Sequence, residues 1–146
     1  MRKLFLAVMV VLIGVVLVAC EKKKGTGLQV AWMTSFDEAL KIAREKNKPV
    51  MIDFYADWCG WCHRLDSDTY SSGEVVNKSK DFVNLKIDAD AERDLVQRYR
   101  ITGLPTILFI DGTGREIHRI VGYKAPDAFS KEMEIALRNF RNEVGG

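Results

Sequence analysis

The stretch V-M-I-D-F-Y-A-D-W-C-G-W-C-H, Val50 to His63, decides the fold of this chain. Its first six residues are apolar and β-rich except for Asp53, the pattern of a central strand covered on both faces. Its last six place Cys59 and Cys62 where that strand should give way to a helix. Two chemistries compete for the spelling. C-x-x-C-H is the attachment signature of a c-type haem, with His63 as an iron ligand, and C-x-x-C alone is a pair that shuttles between dithiol and disulfide. The residues around it have to choose.

Upstream, Val30 to Met33 reads as a short strand. A helix starts at Ser35, with Glu38 three residues on as a capping box, and stops at Asn47-Lys48-Pro49. Its apolar face is Phe36, Ala39, Leu40 and Ala43. Downstream of the cysteines a helix runs through His63, Arg64, Leu65 and Asp66 and breaks near Ser71-Ser72-Gly73. A short helical piece follows at Glu74 to Lys80, then a strand at Phe82 to Ile87 and a helix from Ala91 to Tyr99, capped by Asp90. Thr106 to Ile110 is a strand, Asp111-Gly112-Thr113-Gly114 a hairpin turn, and Glu116 to Val121 its partner. Pro126 opens a last helix with the stripe Phe129, Met133, Ala136, Leu137 and Phe140. This order gives an α/β fold, a mixed sheet with helices on both faces.

The 146 residues suffice for one domain. Its first stretch lies outside that domain. Arg2 and Lys3 precede an uninterrupted apolar or small run from Leu4 to Ala19, which ends in L-V-A-C. A basic head, an apolar middle and small residues before a cut describe a secretory signal. Cys20 directly after Ala19 is similar to a bacterial lipobox, which implies cleavage before Cys20 and lipid on its sulfur. We therefore expect a signal over residues 1–19, a polar tether over 20–28 and a domain over 29–146. The domain would stand on a periplasmic or other extracytoplasmic membrane face. Without residues 1–19 the 22 basic residues fall to 20 against 20 acidic ones, a formal charge of zero. With no basic patch interleaved with aromatics, nucleic-acid binding is not expected.

If Cys20 is lipidated, Cys59 and Cys62 remain as a self-contained pair. A disulfide across two intervening residues constrains the unfolded chain little, so redox exchange suits it better than stability. At a helix start, unpaired N–H groups and the dipole favour a thiolate, making Cys59 the attacking sulfur and Cys62 the resolving one. Gly60 is expected to keep the turn tight, and Trp61 to lie over the site or against a partner. Asp53, an acid in an apolar strand, should have a raised pKa and be able to take and return the Cys62 proton. Asp66, four residues after Cys62, falls on the same helical face. Pro105 before the strand at Thr106 is either a strand opener or the site of a cis Leu104–Pro105 bond.

D-F-Y-A-D-W-C-G-W-C, then T-G-L-P-T about forty residues later and a glycine hairpin, resembles the thioredoxin family. K-P-V-M-I-D-F-Y-A-D-W-C, G-L-P-T-I-L-F-I-D-G-T-G and V-G-Y are similar, more narrowly, to the C-terminal thioredoxin-like domains of DsbD membrane electron transporters. The resemblance spans roughly Val30 to Leu137. It implies a thioredoxin fold with Cys59 as nucleophile, Cys62 as resolving thiol, Asp53 as the buried carboxylate and Asp66 as a second acid. Trp58, Gly60 and Trp61 then neighbour the pair. Pro105 is implied to be the cis-proline facing the disulfide, with Gly103 and Leu104 offering backbone to an extended substrate. No cofactor beyond the redox-active disulfide and no metal are implied, and a monomer is expected. The partners are protein thiols and disulfides, plus a separate electron donor. Gly60-Trp61 departs from both groups at the residues that tune redox poise.

Against haem, the only candidate second ligand, His118, falls in an exposed strand where a solvated residue is expected, and Met33, Met51 and Met133 occupy packing positions. Haem chemistry also leaves Asp53 and Gly103 to Thr106 unexplained. A metal-binding module is short of ligands, because two cysteines fall below the four of a structural zinc site.

Overall fold

The structure is a computed structural model and describes residues 27–144. The signal, Cys20 and most of the tether lie outside the described residues. Four strands form one mixed sheet: β1 (Val50–Tyr55), β2 (Val83–Asp88), β3 (Thr106–Ile110) and β4 (Glu116–Val121), in the order β2-β1-β3-β4. β2 runs parallel to β1, while β3 is antiparallel to both β1 and β4. The parallel pair needs a crossover, and the residues between β1 and β2 supply it in helices. The helices are α1 (Phe36–Lys46), α2 (Gly60–Arg64), α3 (Gly73–Ser79), α4 (Arg93–Arg98) and α5 (Pro126–Val144). A π-helical turn, Leu65–Thr69, continues α2 and closes with the Tyr70 N–H on the Leu65 carbonyl at 2.8 Å.

The strand alternation sorts the core into two layers. Val50, Ile52 and Phe54 face one way with Leu108, Ile110, Val83, Leu85 and Ile87, and meet Ala39 and Ala43 of α1. Met51 faces the other way with Ile107, Phe109, Ile117 and Ile120, against Leu65, Val75 and the α5 stripe of Phe129, Met133, Ala136 and Phe140. Each fully buried side chain of this kind contributes about 2 kcal/mol. β1 lies between neighbours on both sides and is buried along Val50 to Phe54, so Asp53, on the same face as Met51, is enclosed with it.

Two local expectations are corrected. Val30 to Met33 forms no strand: the Val30 N–H goes to the Tyr70 carbonyl, and only Met33 bridges β2, so no ladder develops. The helix expected from Ala91 begins at Arg93 without a side-chain cap. Asp90 is otherwise engaged, as described below. At α1, Ser35 accepts the Glu38 N–H at 3.4 Å, and Asn47 closes the helix in the left-handed region at φ 49°.

Candidate active site

β1 delivers the chain through Ala56 to Cys59, which sits at the cap position of α2 in extended geometry. Its Sγ accepts the Cys62 N–H at 3.2 Å, so the helix start engages the sulfur directly. Cys59 and Cys62 are joined as a disulfide and are 5% and 3% exposed. With Ala56 they make a small cluster of their own, flanked by Tyr55 and Leu104. Gly60 is not sterically required: it has no positive φ, and a Cβ there meets nothing within 4 Å.

The Leu104–Pro105 peptide is cis. The Pro105 carbonyl accepts the N–H of Gly122 at 2.8 Å, and Gly122 has φ +83°, a conformation that favours glycine. This contact holds the proline loop to the end of β4, where Val121 pairs with Thr106. Trp58, Trp61 and Val121 are three of the four exposed large hydrophobic residues among the described ones. The Trp58 indole N–H donates to Asp90 Oδ2 at 2.8 Å, which explains why Asp90 caps no helix. Between Trp58, α4 and Gly103-Leu104 lies an open groove of about 340 Å³, with Val96, Ile101 and Leu104 among its lining. Trp61 stacks on Tyr123 with centroids 5.6 Å apart, and the Arg64 guanidinium lies against both rings.

Asp53 is fully buried, and neither carboxyl oxygen has a hydrogen-bond partner. Burial drives its pKa from the usual 3.8 up to about 7, with Lys86 pulling it down and Asp66 pushing it up. The cause of the Lys86 contact is register: in the parallel β1–β2 pair Asp53 and Lys86 are opposite one another. Lys86 Nζ is 3.6 Å from Asp53 Oδ2 and also contacts Asp66 Oδ1. The rings of Tyr55, Trp32 and Tyr70 surround the ammonium, Tyr55 nearest at 4.9 Å. Asp53 and Asp66 are thus joined through a lysine that the sequence reading passed over. The signal was present: laying V-M-I-D-F-Y beside V-N-L-K-I-D in parallel puts acid against base. Tyr70 was also missed, having no motif of its own, and Tyr123, quoted within V-G-Y, was given no role at the site.

The two histidines occupy other roles. His63 turns back to the Asp57 carbonyl at 2.7 Å. His118, expected in solvent, is half-buried with Nε2 2.7 Å from Glu132 Oε2 and its ring 5.7 Å from Phe109, because α5 covers that part of β4. Among the described residues no group of three or more His, Cys, Asp or Glu side chains is arranged to hold a metal ion.

A disulfide at the end of a central strand, capping the following helix beside a cis Leu104–Pro105 peptide, places the chain among proteins of the thioredoxin fold. The chain belongs to the thioredoxin-like domain family, whose model matches residues 36–136. It is 37% identical over 116 residues to the thiol:disulfide interchange protein DsbD of Cronobacter sakazakii, covering 75% of this chain and 20% of that protein. The chain thus spans about a fifth of the length of the curated relatives it matches. Among solved structures it is similar to a putative disulphide-isomerase from Bacteroides thetaiotaomicron, at 32% identity and TM-score 0.65 over 75% of this chain and 93% of that one. It is also similar to the oxidised C-terminal domain of Neisseria meningitidis DsbD, at 26% identity and TM-score 0.62 over 71% and 97%.

Proposed function

We propose that the protein is a lipid-tethered, extracytoplasmic reductase of protein disulfides. The observation that carries this reading is the buried Cys59–Cys62 pair set among exposed Trp58, Trp61 and Val121, an apolar rim suited to a protein partner. In the reduced protein the Cys59 thiolate attacks a partner disulfide. A Cys59–partner bond forms, the partner bond breaks, and the departing partner sulfur takes a proton from water. The Asp53 carboxylate then accepts the Cys62 proton, and the Cys62 thiolate attacks Cys59 Sγ. The Cys59–Cys62 disulfide forms, and the second partner sulfur leaves as a thiolate that is protonated in turn. Two electrons pass to the partner, and a dithiol protein must restore the pair.

The membrane tether rests on the lipobox-like L-V-A-C, and the direction of electron flow on the resemblance to DsbD. Among the described residues no helix is long and apolar enough to cross a membrane.

Cys62→Ser, expressed in cells, should accumulate mixed disulfides through Cys59, and recovering none would defeat the catalytic reading. Intact mass after acid quench and thiol alkylation tests the rest. A lipid adduct on Cys20 with two alkylated thiols is expected. An unlipidated chain removes the tether, and an unalkylated pair removes the reductase direction. A haem-sized adduct on Cys59 and Cys62 would replace the whole reading.

A further inference from the structure

The parallel pair of strands separates charge along its length. β1 and β2 begin together, with Val50 opposite Val83, and end together, with Tyr55 opposite Asp88. The disulfide follows the end of β1, so the start of the pair lies a strand length away from that end, about 17 Å. At the disulfide end Asp57, Asp88, Asp90 and Glu92 outnumber Arg93. At the other end Lys46 closes α1, Lys48 precedes β1 and Lys80 follows α3. Without residues 1–19 the basic and acidic residues are equal in number, so the contrast is one of placement rather than of net charge.

The three lysines line one shallow groove of about 360 Å³, together with Ala31, Met33 and Ile42. Their hydrogen bonds leave the charge standing. Lys48 Nζ donates to the Lys80 carbonyl at 2.6 Å and Lys80 Nζ to the Asn77 side-chain oxygen at 2.8 Å, both neutral acceptors. Among the described residues the lysine ion pairs belong to Lys41, Lys78, Lys86 and Lys124, and Asp81, beside Lys80, enters none of them. Ala31 and Met33 lie on the segment by which the tether enters the domain. From Cys20 to Ala31 the chain reaches at most about 40 Å when fully extended, so lipid on Cys20 keeps this wall of the groove within that distance of a bilayer. Lys22, Lys23 and Lys24 lie along the same stretch of sequence.

We infer that the groove of Lys46, Lys48 and Lys80 docks on anionic phospholipid headgroups, so that the tethered domain stands on its bilayer with the disulfide pointing away. The ammonium groups pair with headgroup phosphates, and Ala31, Met33 and Ile42 meet the interface beside them. The same surface repels the carboxylates at the disulfide end, which fixes the sense of the orientation. Cys59 and its aromatic rim then face soluble proteins rather than lipid. The inference rests on the tethered reading for its proximity to a membrane, and not on the direction of electron flow.

The test is amine acetylation of the full chain purified from its native membrane, read by peptide mass spectrometry after its intact mass has reported any lipid on Cys20. The chain is placed in vesicles of phosphatidylcholine alone, or of phosphatidylcholine and phosphatidylglycerol in equal parts. A lysine at an anionic surface is favoured there by about fivefold, so acetylation of Lys46, Lys48 and Lys80 should fall several-fold in the anionic vesicles only. Lys131 on α5 should react equally in both, and high salt should remove the difference. Lys46→Gln with Lys80→Gln should return Lys48 to its rate in neutral vesicles and leave thiol exchange with dithiothreitol unchanged. A lipidated chain whose three lysines react equally in both vesicles would overturn the inference and leave the tether standing. A chain without lipid that still sediments with anionic vesicles, its three lysines protected, would overturn the tether and keep the docking. A chain with neither lipid nor sedimentation would overturn both. Protection by inorganic phosphate without vesicles would assign the groove to a free anion and overturn the membrane-facing orientation.

Discussion

Lys86 faces Asp53 directly across the β1–β2 ladder, with Nζ 3.6 Å from Oδ2, while the same ammonium contacts the half-exposed Asp66. A buried acid, a shared cation and a surface acid therefore form one electrostatic unit behind the disulfide strand.

Lys86→Met removes the charge that favours ionised Asp53, so the carboxyl should rise further above about 7. Because Asp66 shares the cation, the expected change is about tenfold in proton affinity. The alkaline displacement of the pH profile for insulin reduction measures it, and an acid displacement would contradict the assignment.

Asp53 also makes stability depend on pH, with a definite sign. Its folded-state pKa is raised from 3.8 to about 7, so the folded protein binds a proton that the unfolded chain has released. Stability is accordingly lost as pH rises through that window, by about 4 kcal/mol in total if the whole shift is realised. Asp53→Asn should match wild type near pH 4 and exceed it near pH 8 in urea unfolding. Equal stabilities at both would show that the carboxyl is hydrated in solution.

Trp61 is 56% exposed and rests on Tyr123 and Arg64. Trp61→Ala should lower stability by less than about 1.5 kcal/mol. Exchange with a protein disulfide should fall several-fold while exchange with dithiothreitol stays within about twofold, because only the protein needs the ledge. A parallel fall in both rates would place Trp61 in the thiol chemistry instead.

Two glycines near Pro105 should answer differently to the same change. Gly122 has φ +83° and open space above it, so Gly122→Ala should cost about 1–2 kcal/mol through backbone strain alone. Gly103 is equally open without positive φ, so Gly103→Ala should be close to neutral. Denaturant midpoints of the two variants decide the point.

The pattern of apolar residues was enough to place β1, β3, β4 and the last helix, because strands covered on both faces and a helix with a continuous stripe write their burial into the chain. It overcalled Val30 to Met33, where apolar residues pack into a layer without pairing along a ladder. Asp90 read as a cap because its type suits caps, yet the Trp58 indole 32 residues away claims its side chain. The cysteines, Asp53 and Pro105 stood out as unusual residues in ordinary contexts. Lys86, Tyr70 and Tyr123 are ordinary residues in unusual contexts. Parallel register sets the position of Lys86 and the π-helical turn that of Tyr70, and a stack across two segments sets that of Tyr123, none of which a local window contains.

The two cysteines pack in a small cluster with Ala56, which meets the α1-side layer of the sheet through Leu104. Neither sulfur belongs to a large layer, so opening the bond asks neither layer to repack. The oxidised and reduced chains should share one framework and resist proteases alike, so opening and closing the bond leaves the scaffold unworn and is confined to a few atoms just beneath the surface.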